Sequence, residues 1–178
     1  MSRINLITEA TGERQQLLAQ IHSAFGATPN MFKAVANSTA ALKSMWGSFG
    51  ALGSGVINAK LGEQIAVAIA DRNDCEYCLA AHTVLGRKAG ATAEEMSAAQ
   101  AGQSADPKTA AALRFAVAVV NNRAQISDEE VSNLREVGYT DEEIVEILAH
   151  VALNLFTNYV NVAFKVPVDF PSVKLRAK

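Results

Sequence analysis

Two stretches decide the fold: LGEQIAVAIADRN at residues 61–73 and AALRFAVAVVNNR at residues 111–123. Each is an alanine-rich apolar run with no period-two alternation, the pattern of a buried helix and not of a half-exposed strand. Laid over one another with residue 61 on residue 111, Ala66, Val67 and Ala68 recur as Ala116, Val117 and Ala118. Further on, GATAEE at 90–95 recurs as GYTDEE at 138–143, a spacing shorter by two. The implied unit is an apolar helix, a second helix and a glycine-terminated turn into a third, used twice. The competing explanation is chance likeness between alanine-rich helices. At the two offsets the partners of Cys75, Cys78 and His82 are Arg123 or Gln125, Ile126 or Asp128, and Glu130 or Ser132, while Glu63 falls on Leu113. A true duplication therefore builds the same unit once without these four residues, and the fold does not need them.

Outward from this pair, the helix starts are written in the sequence. Thr92/Glu95, Ser127/Glu130 and Thr140/Glu143 have the spacing of capping boxes, in which hydroxyl and carboxylate satisfy orphan backbone donors. Thr28 before Pro29 and Asp106 before Pro107 read as N-caps followed by proline at the first helical position. Helices are predicted near 12–25, 29–36, 39–52, 60–71, 75–89, 92–101, 107–122, 127–137 and 140–164, giving an all-α chain of one domain over 1–178. The tail, with Pro167 and Pro171, is expected to run extended over the surface or onto a neighbouring subunit.

Composition agrees with a folded globular chain: 178 residues, 49% hydrophobic, 19% charged, with a mean hydropathy of +0.10. Sixteen basic against eighteen acidic residues give a net charge of -2, so no basic field is available for nucleic acid or an anionic membrane. The longest unbroken apolar runs, 65–70 and 115–120, fall far short of the roughly 20 residues of a membrane span. The polar opening MSRINLITEATGERQ lacks the apolar core of a secretory signal, and a cytoplasmic location is expected. Self-association is expected from the alanine-rich helices, Trp46 and the apolar last helix.

Chemistry concentrates in Glu63-x11-Cys75-x2-Cys78-x3-His82. At about 100° per residue, Cys75, Cys78 and His82 fall near 0°, 300° and 340° and share one face of a helix starting near Cys75. With Asn73 or Asp74 as N-cap, Cys75 takes the first helical position and Cys78 the first turn, where unpaired N–H groups favour thiolate over thiol. His82, one turn above Cys78, can exchange its proton. A thiolate oxidised to sulfenic acid condenses with a nearby thiol to a disulfide that an external dithiol reduces. Glu63, the odd carboxylate on an apolar helix, can orient water or His82; the bland reading is a solvent-facing helix residue. Asp74 and Glu76 oppose thiolate formation. Zinc on Cys75, Cys78 and His82 needs a fourth ligand, with His22 and His150 the other histidines, and no second CxxC exists. His22 reads as lying on a partly buried helix face and His150 as a satisfied core histidine. Neither metal nor cofactor is expected.

This constellation resembles the core motif of the AhpD-like alkylhydroperoxidases of the carboxymuconolactone decarboxylase superfamily. PNMFKAVANS at 29–38 and NLFTNYVNVAFKVPVDFP at 154–171 are similar to the peroxidase-related branch of that superfamily. The resemblance implies an AhpD-like all-α bundle with an internal duplication, assembled as a trimer or hexamer. It implies reduction of a hydroperoxide substrate, with Cys78 forming the sulfenic acid and Cys75 acting as proton donor and resolving thiol. Glu63 and His82 then belong to the proton relay, and electrons come from a dithiol such as a lipoyl group or a thioredoxin-like protein. AhpD itself carries a histidine before the second cysteine where this chain has Tyr77, which implies an altered relay and weaker peroxidase activity. The decarboxylases of the superfamily lack the cysteine pair. Two alternatives stand beside peroxide reduction: lactone or decarboxylation chemistry with incidental thiols, and a redox-sensing module whose disulfide alters assembly.

Overall fold

Nine α-helices and no strand make up the described part of the chain, residues 1–176 of the computed structural model. They are α1 (Gly12–Phe25), α2 (Asn30–Val35), α3 (Thr39–Leu52), α4 (Ala59–Arg72), α5 (Glu76–Lys88), α6 (Ala93–Gln100), α7 (Pro107–Asn121), α8 (Asp128–Glu136) and α9 (Asp141–Phe164). All three capping boxes form, each with hydroxyl and carboxylate engaged reciprocally. Asp106 caps α7 by accepting the Thr109 N–H at 2.8 Å, with Pro107 at the first position.

The α2 start differs from expectation. Pro29 is the N-cap and makes no side-chain cap bond, while the Thr28 hydroxyl lies 3.4 Å from His22 Nδ1. The first donors of α2 are satisfied from elsewhere: the Asn30 N–H donates to Asp169 at 2.7 Å and the Met31 N–H to the Tyr77 hydroxyl at 3.2 Å. A residue 139 positions away therefore does what a local cap would do. His22 is exposed, not partly buried.

α4 is the axis of the molecule. Ten of its fourteen residues are buried, from Leu61 to Asp71, and it packs against α5, α6, α7 and α9. The duplication is visible in the backbone. Asn73 and Asp74 (φ 54°) end α4 as Asn122 and Arg123 (φ 51°) end α7. The Cys75 N–H returns to Ala70 O at 2.9 Å as the Ala124 N–H returns to Val119 O at 2.8 Å. Gly90 (φ 92°) and Gly138 (φ 88°) make the turns into α6 and α9. At this turn the register of the repeat is 49, so the structural partner of Cys75 is Ala124, between the two assignments the sequence offered.

Helix α9 is, by length and composition, apolar enough to cross a bilayer. Its inner face instead joins the core through Ile144, Ile147, Val151 and Val160, and it buries Asn154, Thr157, Asn158 and Asn161. The tail runs extended over its own chain: Gln100 donates to Lys174 O at 2.9 Å and the Arg176 N–H to buried Asp71 at 3.0 Å.

Candidate functional site

The left-handed turn at Asp74 redirects the chain from α4 into α5 and delivers Cys75 at the start of α5. Cys75 is itself the N-cap, a role the sequence suggested for Asn73 or Asp74. Its Sγ accepts the Cys78 N–H at 3.2 Å. Sulfur thus replaces the usual capping oxygen, and Cys78 takes the third helical position. The two cysteines form a disulfide, with Cα atoms 5.3 Å apart, inside the ordinary range. Both are buried, at 1% and 2% exposure.

Glu63 and His82 meet across the α4/α5 interface, Glu63 Oε2 lying 2.7 Å from His82 Nδ1. Glu63 is therefore not a free solvent-facing carboxylate; its side chain is 22% exposed and that of His82 12%. Gly86, one turn beyond His82, permits this approach: a Cβ there would sit 3.3 Å from Glu63 Cβ and 2.5 Å from the Met96 side chain. With Nδ1 engaged by the carboxylate, Nε2 is left for proton exchange.

The sulfurs open on different sides. Cys78 and His82 line an apolar cavity of about 30 Å³ walled by Phe25, Phe32, Phe49 and Phe170, room for a water-sized molecule. Cys75 lines a more open cleft of about 230 Å³ with Asp74, Glu76 and Lys165. Asn161 borders both. Phe170 closes the Cys78 cavity from the tail and stacks edge-on against Tyr77, centroids 5.7 Å apart.

Tyr77, between the cysteines, is 4% exposed. Burial first, then the neighbouring Asp169, push its hydroxyl well above the ordinary tyrosine range, against the lowering pull of the Met31 N–H. It is a neutral tether joining the CxxC turn to α2 and the tail, without a titratable role near neutrality.

Sequence reasoning missed what α9 contributes. Asn161 Nδ2 donates to Cys78 Sγ at 3.2 Å inside the core. One signal was available: Asn154, Thr157, Asn158 and Asn161 recur at helical spacing on an otherwise apolar helix. His150 also comes from α9 and packs its ring on Gly62, beside Glu63. Burial lowers its pKa from the ordinary 6.5, opposed by Glu146 and Glu63. Its Nε2 is buried without a hydrogen-bond partner, so it is not the satisfied core histidine the sequence suggested. Among the described residues no three His, Cys, Asp or Glu converge to hold a metal ion.

Residues 39–116, which contain Glu63, Cys75, Cys78 and His82, match the model of the carboxymuconolactone decarboxylase family. The fold is similar to an uncharacterized peroxidase-related protein from Silicibacter sp. TM1040 at 23% identity and a TM-score of 0.83, covering 93% of this chain and 91% of that one. It is also similar to an alkylhydroperoxidase AhpD core protein, uncharacterized and peroxidase-related, from Ralstonia eutropha JMP134, at 23% identity and a TM-score of 0.85, over 94% and 92% of the chains. A third similar structure is the debrominase Bmp8 in complex with 2,3,4-tribromopyrrole, at 21% identity and a TM-score of 0.78, over 95% and 94%. No curated protein gives a significant match. The family match thus covers the stretch that carries the four site residues, and the solved structures share the fold of nearly the whole chain.

Proposed function

We propose that the chain is a thiol-dependent hydroperoxide reductase, with Cys78 as the sulfur that attacks peroxide and Cys75 as the resolving thiol. The observation that carries this reading is the pairing of a Cys75–Cys78 disulfide with a Glu63–His82 hydrogen bond at the same helix start, Cys78 and His82 sharing one apolar cavity. The Cys78 thiolate attacks the outer peroxide oxygen, the O–O bond breaks, and the departing alkoxide takes a proton from His82, whose imidazolium Glu63 stabilises. Cys75 then displaces hydroxide from the sulfenic acid, which leaves as water with the thiol proton, and the disulfide forms. A dithiol, a lipoyl group or a thioredoxin-like protein, restores both thiols through the open cleft beside Cys75. A homo-oligomer in a reducing, cytoplasmic compartment belongs to this reading.

The test is steady-state consumption of cumene hydroperoxide with dihydrolipoamide or a thioredoxin system as electron source. Turnover that needs both thiols supports the reading; none with either reductant sinks it. One observation favours a second reading: four phenylalanines wall the Cys78 cavity, aromatic surfaces against which a planar ring can stack once the cavity widens beyond its present size. Reductive debromination needs the same two electrons, since an aryl bromide and two thiols give the arene, bromide, a proton and the disulfide. Bromide release from 2,3,4-tribromopyrrole under the same dithiol supply distinguishes it.

A further inference from the structure

Asn161 is an amide in a place that ordinary core packing does not explain. It lies near the end of the apolar helix α9 and is 4% exposed. Its Nδ2 donates to Cys78 Sγ at 3.2 Å, whereas Cys75 Sγ accepts only the backbone N–H of Cys78 among the described contacts. Its Oδ1 is buried and has no hydrogen-bond partner. An unsatisfied buried carbonyl oxygen is costly and calls for a partner that arrives from outside the fold. The side chain borders the cavity on the Cys78 side, where Thr157, one turn earlier, is also exposed to the lumen.

We infer that Asn161 is a catalytic residue whose amide N–H holds the negative charge of the Cys78 thiolate and whose Oδ1 accepts the O–H of the incoming hydroperoxide. This rests on the peroxide-reductase reading and extends it. The two ends of one planar amide then set both reactants: the sulfur at the donor end and the outer, hydrogen-bearing oxygen at the acceptor end. In the step they serve, Cys78 thiolate, a hydroperoxide and one proton give Cys78 sulfenic acid and an alcohol. The S–O bond forms as the O–O bond breaks, sulfur loses two electrons to the peroxide, and the proton goes to the alkoxide. Asn161 neither gains nor loses a proton; it orients the attack and stabilises charge. The substrate class that satisfies Oδ1 is a hydroperoxide bearing its own O–H, with an apolar substituent toward the phenylalanines.

The experiment uses full-length chain in a Cys75→Ser background, so that Cys78 titrates alone. Thiolate absorbance gives its pKa, and rapid trapping gives the rate of sulfenic acid formation with cumene hydroperoxide across pH. Asn161→Leu removes both functions and Asn161→Asp removes the donor while keeping shape and an acceptor. The charged groups around the sulfurs, His82 and Glu63 beside Cys78 and Asp74, Glu76 and Lys165 around Cys75, are the same in all variants, and only Asn161→Asp adds a carboxylate of its own. The Leu variant is expected to raise the thiol pKa by about one unit and to slow oxidation roughly 10- to 100-fold even where Cys78 is fully thiolate, the effect of a hydrogen bond to a charged group. The Asp variant is expected to raise the thiol pKa further. If Leu fails to fold, Asn161→Ala, which removes the donor without adding a charge, carries the pKa test alone. A thiol pKa equal to that of the parent overturns the inference; a raised pKa with an unchanged rate per thiolate overturns the peroxide contact. A parent that forms no sulfenic acid with any hydroperoxide defeats the peroxide reading instead, and the pKa comparison then decides the sulfur contact on its own.

Discussion

Glu63→Gln isolates the electrostatic part of the site. The substitution keeps length and hydrogen-bonding capacity at the side chain that lies 2.7 Å from His82 Nδ1, and removes only the charge. Both side chains are less than a quarter exposed, so solvent screens the pair weakly. A hydrogen bond to a charged partner contributes about 1.5–3 kcal/mol. Lost from the arrangement that keeps the proton-bearing His82 aimed into the Cys78 cavity, this corresponds to a rate of Cys78 oxidation lower by about 10- to 150-fold. The assay is rapid-quench thiol counting after mixing reduced protein with cumene hydroperoxide, with circular dichroism and urea unfolding as controls on the fold. His82→Ala should cost a similar factor, and the double variant little more, because two residues acting as a unit are not additive. A Glu63→Gln rate within twofold of wild type, or a fully multiplicative double variant, would refute the argued coupling.

Three further outcomes follow from other parts of the molecule. Phe170→Ala should widen the 30 Å³ cavity beside Cys78 and raise kcat/KM for cumene hydroperoxide relative to hydrogen peroxide by several-fold; an unchanged ratio would show that the tail does not bound the substrate space. Val145, Leu148, Tyr159 and Val162 are exposed along the outer face of α9, which we read as a face between copies, and light scattering at micromolar concentration should find a trimer or hexamer rather than an 18.9 kDa monomer. Because burial lowers the His150 pKa from 6.5, the unfolded chain binds the proton first as pH falls. Stability is therefore full above about 6.5 and declines below it toward the folded value, and His150→Gln should flatten that decline in urea titrations between pH 7 and 5.

The sequence was most readable where structure is local. Capping boxes and the Asp106-Pro107 start are properties of four consecutive residues, and each marks the helix end that forms. The Glu63, Cys75, Cys78 and His82 cluster was legible for the same reason, since Cys78 and His82 lie on α5, Cys75 caps it, and Glu63 is on the helix packed against it. Long-range substitution of a local role was not legible. Asp169 and Tyr77 satisfy the α2 donors, so nothing near Thr28 announces that it has been relieved of capping. Cys75 serves as its own cap because the left-handed turn at Asp74 leaves its Sγ facing the Cys78 N–H. Asn161 lies 83 residues from Cys78. Polar residues in an apolar helix signal that something is buried against them, and only the packing of α9 on α5 reveals that it is the sulfur.

The most direct test of the central claim is the order in which the two sulfurs react. Single-cysteine variants, fully reduced, are exposed to one equivalent of cumene hydroperoxide with a dimedone-type trap and analysed by peptide mass spectrometry. The account predicts rapid labelling of Cys78 in Cys75→Ser, where the sulfenic acid persists for want of a resolving thiol, and little or none of Cys75 in Cys78→Ser. Labelling of Cys75 in Cys78→Ser at the wild-type rate would contradict it and exchange the roles of the two cysteines.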